Sequence, residues 1–260
     1  MQINKINNHI HRLTIPYKDI YTTVLFIKTE EGVVLFDAAT FEEDVKEQIL
    51  PTLAELGIEK EEIKYIFISH NHGDHAGGLP WLIEALPHAV ILSNSPSLAE
   101  KYADHAVQTL EDGEIVAGCL RHILIPGHTA DAGGLFDLRT KTLMTGDALQ
   151  VYGIYGSGKW GANITWPALH IPALQKLHDL DAETLIMAHD YHPCGPIVAG
   201  KAEIDRCIDD CAEALYKVRD AILADPDADD ETLAASYNAT SGLPTVGRKV
   251  FAAMRILINE

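Results

Sequence analysis

Three histidines and one aspartate fall within six residues of this chain, inside the stretch SHNHGDHAGG (69–78). Neutral imidazole and carboxylate groups are good ligands for zinc and related first-row ions. The side chains of His70 and His72 can converge on one ion, because alternate residues of an extended segment share a face. Asp74 and His75 follow a flexible glycine and can turn toward a second position nearby. The spacing therefore predicts a metal site.

This histidine cluster stands where a strand is predicted to end. The preceding run IKYIFI (63–68) is apolar and rich in β-branched and aromatic residues, which favours a buried strand. Gly77 and Gly78 allow the backbone to bend sharply before a predicted helix at 78–86. The alternative is an exposed loop that happens to be rich in histidine. The spacing HxHxDH at a strand end disfavours that alternative.

The elements that position the cluster alternate between strand and helix patterns over the first 195 residues. Strands are predicted at 22–29, 32–38, 63–69, 88–94, 121–126, 135–138, 142–148 and 184–188, and helices at 41–57, 78–86 and 166–180. A long loop rich in glycine and aromatic residues is predicted at 151–166, and from residue 200 the pattern is helical. This organisation predicts a catalytic domain at 1–199 and a helical extension at 200–260 packed on it.

Composition limits the partners of the chain. Its 38 acidic and 20 basic residues give a net charge of −18, which argues against broad contact with a phosphate backbone. No apolar run has the length of a membrane span, and the first residues lack the apolar segment of a signal peptide. We therefore expect a cytoplasmic location and a small-molecule substrate, with neither nucleic acid nor membrane as a partner. A homodimer is left open.

The cysteine pattern indicates reduced, packed thiols. The chain has four cysteines and no CxxC pair: Cys119, Cys194, Cys207 and Cys211. Cytosolic thiols normally stay reduced, and a free cysteine packs as a small hydrophobic residue. A structural role is therefore predicted for Cys194, Cys207 and Cys211.

In the order of its motifs, the chain resembles the metallo-β-lactamase-fold hydrolases, and among them the glyoxalase II and lactonase-like branch. The resemblance covers about residues 20–195 and rests on VVLFDAA (33–39), SHNHGDHAGG (69–78), IPGHTA (125–130), MTGDAL (144–149) and LIMAHD (185–190). It implies an α/β fold, a four-layer αββα sandwich with a C-terminal helical extension.

The resemblance also implies two divalent metal ions and seven ligands. His70, His72 and His128 would hold one ion, Asp74, His75 and His189 the second, and Asp147 would bridge both. A hydroxide shared by the ions would attack a carbonyl carbon, with Asp74 as the catalytic residue that orients it and carries a proton to the leaving group. Zinc suits these ligands, and iron or manganese also would. His192 competes with His189, which is favoured because it directly follows a predicted strand.

Some residues near the motifs keep two interpretations. Asp37 either supports the ligands or ends its strand, and Ala130 and Asp131 stand where relatives usually carry a proline. The C-terminal helices either wall the cleft or only pack on the core. Four side chains after the predicted bridging aspartate either line the substrate pocket or pack the loop: Tyr152, Tyr155, Lys159 and Trp160.

The predicted function is a binuclear hydrolase that cleaves a small ester, thioester or lactone. One alternative is an iron-dependent persulfide dioxygenase of the same fold, which would use a single redox-active ion. A β-lactamase is disfavoured, because lactamases of this type usually lack the bridging aspartate and are exported. The net charge of −18 disfavours a nuclease or other phosphodiesterase. A structural metal site without turnover is disfavoured too, because such sites close every metal position with protein ligands.

Overall fold

The computed structural model describes residues 2–150, 153–154, 161–241 and 246–259. The chain divides into two compact units: unit 1 comprises Met1–Ile123 and Leu135–Arg139, and unit 2 comprises Leu124–Gly134 and Thr140–Glu260. Four side chains that were predicted either to line the substrate pocket or to pack the loop lie outside the described residues: Tyr152, Tyr155, Lys159 and Trp160.

Unit 1 is built on a seven-stranded sheet whose strands follow one another in chain order. They are β1 (Gln2–Lys5), β2 (Ile10–Tyr17), β3 (Ile20–Thr29), β4 (Gly32–Phe36), β5 (Ile63–Phe67), β6 (Val90–Leu92) and β7 (Val107–Gln108). The pairs from β1 to β4 are antiparallel, and those from β4 to β7 are parallel. Because parallel strands run the same way, β4, β5 and β6 end at one edge of the sheet.

Helices form the crossover connections between these parallel strands, as parallel pairing requires. They are a π-helical turn (Asp44–Ile49), α1 (Leu50–Glu55), a 3₁₀ turn (Lys60–Glu62), α2 (Gly73–Ala76), α3 (Leu79–Ala85) and α4 (Pro96–Lys101). The predicted helix at 41–57 is not one regular α-helix, since α1 begins only at Leu50. Pro51 follows the π-helical turn within a continuously helical segment, and its missing N–H accounts for the departure from regular α-helical hydrogen bonding there. Phe26, Leu35 and Ile66 are fully buried in the core of this unit.

The second sheet comprises β8 (Ile115–Val116), β9 (Leu120–Leu124), β10 (Gly133–Asp137), β11 (Thr142–Met144), β12 (Thr184–Ile186) and β13 (Ile197–Ala199). In unit 1, β8 pairs with β9 in an antiparallel hairpin. In unit 2, β11 pairs parallel with β12, and β12 pairs antiparallel with β13. The ends of β11 and β12 therefore meet at one edge, which is where unit 2 carries two of its predicted ligands.

Unit 2 is completed by four helices: α5 (Pro167–His178), α6 (Lys201–Ala224), α7 (Asp230–Ser241) and α8 (Arg248–Asn259). The apolar face of α6, with Leu215, Val218 and Ile222, packs in one core with Phe251 and Met254 of α8. The predicted C-terminal helical region is confirmed, whereas a domain boundary at residue 199 stays a prediction. Among the described residues, every helix is too short or too polar to cross a membrane.

Candidate functional site

The predicted ligands of unit 1 follow the end of β5, beside the end of β4. The backbone N–H of Asp37, the residue after β4, donates to the carbonyl of Phe67 at 2.7 Å and joins the two strand ends. Asp37 adopts a left-handed backbone conformation with φ of 64°, which aspartate tolerates better than most residues. This conformation places its carboxylate against the loop that begins at Ser69.

The Asp37 carboxylate organises two of the predicted ligands. Its Oδ2 accepts hydrogen bonds from His75 Nδ1 at 2.7 Å and from the Ser69 hydroxyl at 3.0 Å. The Ser69 oxygen in turn accepts from His70 Nδ1 at 3.1 Å. Since Nδ1 carries the proton in both imidazoles, each Nε2 keeps the lone pair that a metal ligand needs. Of the two interpretations of Asp37, the structure supports the one in which it orients ligands.

Burial also affects the charge of Asp37. The carboxyl is fully buried, and this burial raises its pKa, while the hydrogen bonds from His75 and Ser69 oppose the shift. Three hydrogen bonds to one carboxylate favour its ionised form. The ionised carboxylate accepts from both partners and so keeps the two imidazoles in the tautomer described above.

Among the predicted ligands of unit 1, one pair of donor atoms is at ligand spacing and another is at hydrogen-bond distance. Asp74 Oδ2 lies 3.7 Å from His75 Nε2, too far for a hydrogen bond. Two atoms that each lie roughly 2.1 Å from one zinc ion have about this separation. His70 Nε2 and His72 Nδ1 are hydrogen-bonded at 3.0 Å. The separation of Asp74 and His75 therefore fits two ligands of one ion.

One glycine of the motif is required by a close approach. A Cβ added at Gly78 would lie 2.1 Å from the Ala38 carbonyl oxygen, so a larger residue would push the loop away from the strand end. The predicted need for glycine before α3 therefore has a packing cause at this position.

In unit 2, the ends of β11 and β12 bring Asp147 and His189 together. The Thr145 N–H donates to the Ile186 carbonyl, and the Ala188 N–H donates to the Gly146 carbonyl, each at 3.1 Å. This pairing continues the ladder past the strands and fixes the next residue on each segment.

Asp147 has a different histidine beside each of its two oxygens. Its Oδ2 lies 3.6 Å from His128 Nε2, and its Oδ1 lies 3.6 Å from His189 Nε2. Both distances exceed a hydrogen bond and match the separation of two ligands on one ion. The carboxylate is 7% exposed. Each oxygen of Asp147 therefore has its own neighbouring imidazole.

His128 is held by its other ring nitrogen. Nδ1 donates to the Asn163 carbonyl at 2.8 Å, so that Nε2 keeps its lone pair on the side of Asp147. Gln150 lies beside this ring: its Oε1 accepts the Asn163 N–H at 3.0 Å, and its amide nitrogen donates to the Tyr191 hydroxyl at 3.3 Å. The hydrogen bond to the Asn163 carbonyl therefore orients the imidazole, and Gln150 in turn holds Asn163.

The backbone before His128 is fixed by His170. His170 Nδ1 donates to the Pro126 carbonyl at 2.8 Å, and a Cβ at Gly127 would lie only 2.1 Å from the same nitrogen. Gly127 has φ of 153°, a conformation that other residues rarely adopt. The His170 ring is almost fully buried, and this burial lowers its pKa to about 4. The ring is therefore neutral at pH 7 and acts as a fixed hydrogen-bond donor.

The two candidates for the last ligand have different partners. His189 faces Asp147, as described, and packs edge-on against Tyr191 at 5.3 Å between ring centroids. His192 Nε2 instead lies 2.8 Å from an oxygen of Asp210 on α6. Within unit 2, His189 is therefore the histidine that belongs with the other predicted ligands.

Several supporting residues were not predicted from the sequence: Ser69, Gln150, Asn163 and His170. The contacts of Asn163 and His170 are made by or to loop backbone atoms, which no residue pattern predicts. His170 had one signal, since it lies on the buried face of α5 with Leu174 and Leu177. A histidine on an apolar face is more often a core residue than a ligand, and His170 indeed acts through the backbone of Pro126.

One family of known proteins matches most of the chain. The sequence profile of the metallo-beta-lactamase superfamily matches residues 17–189. The chain is 29% identical over 193 residues to the uncharacterized protein YobT of Bacillus subtilis, a match that covers 63% of this chain and 80% of YobT. It is also 29% identical over 161 residues to an atrochrysone carboxyl ACP thioesterase of Pseudocercospora fijiensis, covering 60% of this chain. That match spans only 43% of the thioesterase, so the relative has a large part that this chain does not match.

A solved structure shows the fold. The metallo-beta-lactamase family protein TTHA1429 of Thermus thermophilus superimposes with a TM-score of 0.69 at 21% identity, covering 96% of this chain and 92% of that one. At this identity the similarity concerns the fold alone. It confirms the predicted α/β fold class with a C-terminal helical region.

Proposed function

The chain belongs to the metallo-β-lactamase superfamily, and on that premise we propose that it is a binuclear metal-dependent hydrolase of small esters, thioesters or lactones. The resemblance predicted from its motifs is confirmed, and so is the prediction of a hydrolase of this superfamily. The number of ions, their identity and the substrate are the parts that we propose.

The observation that supports two ions most directly is the position of Asp147. Its two oxygens each have a histidine Nε2 at 3.6 Å, and the two histidines come from different segments, at 128 and 189. The two histidines lie beside different oxygens of the carboxylate, so that each oxygen can serve its own ion. Two neighbours at ligand spacing fit a carboxylate shared by two ions, which in binuclear sites are ~3.5–4 Å apart.

We propose one assignment of ligands to these ions. His70, His72 and His128 would hold one ion, Asp74, His75 and His189 the other, and Asp147 would contact both. The tautomers support this assignment, because hydrogen bonds at Nδ1 leave Nε2 of His70, His75 and His128 with a lone pair. Imidazole and carboxylate donors suit zinc, and they also accept iron or manganese.

The chemistry divides between the ions and the chain. Divalent ions bound here would lower the pKa of a coordinated water to about 7 and would so supply hydroxide at neutral pH. Asp74, at 16% side-chain exposure, is more accessible than Asp147 and can accept a proton and pass it to a leaving group. Asp37 and Asn163 hold the imidazoles of His75 and His128, so that the geometry persists during turnover.

The substrate proposed is a small carbonyl compound. The net charge of −18 opposes polyanionic substrates such as nucleic acids. A thioesterase is among the named relatives, which favours thioesters within the proposed class. We expect the chain to encounter this substrate in the cytoplasm, the location predicted from the sequence.

A hydrolysis screen on metal-analysed protein tests the proposal. The panel holds thioesters, acyl-homoserine lactones, simple esters, phosphodiesters and β-lactams, each measured with zinc-loaded and chelator-treated protein. We expect two ions per chain and metal-dependent cleavage of one carbonyl class. A single iron with oxygen consumption on a persulfide substrate would favour the dioxygenase alternative instead, and cleavage of phosphodiesters alone would refute the substrate class.

A further inference from the structure

A second group of metal-ligating side chains lies in unit 2, where the loop after β12 meets α6. His192, Cys194 and Cys207 each offer one ligand atom, and these three atoms lie within 4.8 Å of one another. His192 and Cys207 are buried, and Cys194 is half-buried. Neither cysteine is joined in a disulfide. The proposed hydrolytic mechanism uses none of the three residues.

The hydrogen bonds of His192 leave one ring nitrogen suited to a metal. Nε2 donates to Asp210 Oδ2 at 2.8 Å, and Nδ1 accepts the backbone N–H of Cys194 at 3.1 Å. Both contacts require the same tautomer, in which Nδ1 carries the lone pair. Metal-ligating histidines commonly donate their other N–H to a carboxylate in this way. An ion at this group would take the Nδ1 lone pair in place of the Cys194 N–H.

The two sulfurs determine which ion the group prefers. Thiolates select zinc and other soft or borderline ions over magnesium or calcium. Without an ion, the buried Cys207 is a neutral thiol, because burial raises its pKa to about 12. A divalent cation deprotonates the thiols that coordinate it. Binding would exchange two S–H bonds for two sulfur–metal bonds and release two protons to solvent.

We propose that His192, Cys194 and Cys207 form a structural metal site for Zn²⁺ or a similar thiophilic divalent ion. Glu203 of α6 would complete the set as fourth donor by a change of side-chain rotamer, since its Oε2 lies 4.0 Å from Cys194 Sγ. Four side-chain ligands that include sulfur are typical of structural zinc sites. The ion ties the loop that carries His189 to the long helix α6.

Arg206 is the competitor of the ion at this position. Its guanidinium donates to Cys194 Sγ at 2.8 Å and also pairs with Glu203. The side chain is half-exposed, so it can swing into solvent when a cation takes its place. Because Arg206 and the ion carry charge of the same sign beside the same sulfur, removal of Arg206 should tighten metal binding.

Cobalt(II) provides a readout that the hydrolytic ligands cannot give. Coordination of cobalt by thiolate produces a ligand-to-metal charge-transfer band in the near ultraviolet, and the seven proposed hydrolytic ligands contain no cysteine. We would titrate metal-free, fully reduced full-length protein with Co²⁺ and follow this band together with the visible d–d bands. The variants are Cys194→Ser, Cys207→Ser and Arg206→Gln, with Cys119→Ala as the control for loss of a buried thiol from unit 1.

The expected result is a thiolate band in the wild type and in Cys119→Ala, its loss in both serine variants, and retention of the d–d bands of the histidine sites. In Arg206→Gln the band should saturate at a severalfold lower Co²⁺ concentration. Cys194→Ser keeps the test decisive if the buried Cys207→Ser variant fails to fold, which circular dichroism would show. Absence of the band in wild-type protein with four titratable thiols overturns the proposal, and so does a disulfide between Cys194 and Cys207 in protein purified under reductant.

Discussion

The two units bring metal-ligating side chains together in different ways. Unit 1 places four of them within six residues of one loop, and a single carboxylate, Asp37, orients two of the imidazoles. Unit 2 takes three ligands from segments up to 61 residues apart, between His128 and His189. Their positions depend on strand pairing, on loop backbone and on several polar contacts.

This difference indicates where each half is vulnerable. The local motif of unit 1 has one shared support, so that a change at Asp37 should affect several ligands at once. The dispersed set of unit 2 has separate supports for each ligand, so that a change at one support should affect one ligand. Asp147 is the exception, because both predicted ligand histidines of unit 2, His128 and His189, face it.

The largest effect is expected for Asp147→Ala, which removes the centre of the unit 2 set. It should cost at least one ion per chain and lower kcat by roughly a hundredfold or more, since even the loss of an outer partner costs 10–100-fold. Metal analysis and kinetics measure both effects. Asp181→Ala, which removes an exposed carboxylate paired with Lys141, is the control. Full metal loading with normal turnover in Asp147→Ala would exclude a bridging role.

A smaller effect, shared by two ligands, is expected for Asp37→Asn. An amide cannot accept as many hydrogen bonds as the carboxylate does, so His75 and, through Ser69, His70 lose their fixed tautomer. Metal affinity should fall about 10–100-fold. Competitive titration with a chelator measures this affinity.

Asp44→Asn is the matched control, because Asp44 is also buried but binds only the Thr40 and Phe41 backbone N–H groups and the Gln48 amide. If both variants lose the same affinity, general destabilisation rather than ligand orientation is the cause.

A weaker and more local effect is expected for Gly127→Ala. The new Cβ must displace either His170 or the loop that carries His128, so the ion that His128 binds should be held about tenfold less tightly. The second ion should keep its affinity. Gly200→Ala controls for a positive φ without a clash, since nothing lies within 4 Å of that Cβ. Equal weakening of both ions would contradict the separate supports of unit 2.

The smallest effect at neutral pH is expected for His170→Gln, which keeps a donor for the Pro126 carbonyl but does not titrate. The pKa of His170 is about 4 in the folded chain and about 6.5 when unfolded, so the unfolded state binds more protons between these values. Above pH 6.5 the neutral ring contributes its full stabilisation of the wild type. Toward pH 4 its titration should lower the free energy of unfolding by about 3 kcal/mol. Urea unfolding at several pH values measures this effect. Between pH 6.5 and pH 4 the free energy of unfolding should change less with pH in His170→Gln than in the wild type. An equal pH dependence in the two proteins would show that His170 is not buried as a neutral ring.

The four predicted ligands of unit 1 could be identified from the sequence for a physical reason. They lie within six residues of one another, directly after a strand, so residue type and spacing were enough to predict a metal site. The strands β3, β4 and β5 and the helices α6 and α8 were likewise predicted from apolar patterns. Long periodic segments of this kind depend little on tertiary context.

The unit 2 set could not be derived from spacing. His128, Asp147 and His189 were identified only through a resemblance of motifs, because strand pairing between β11 and β12 is a long-range contact. The supports at Asn163 and Pro126 act through backbone atoms, which no side-chain pattern reveals. The short strands β1, β7 and β13 were missed because two to four residues carry too little periodicity.

The most direct test of the central claim is a crystal structure of the zinc-loaded chain with anomalous diffraction measured at the zinc edge. We predict two anomalous peaks about 3.5–4 Å apart, one beside His70, His72 and His128 and the other beside Asp74, His75 and His189, with Asp147 in contact with both. A single peak, or His128, Asp147 and His189 without any ion, would contradict the account.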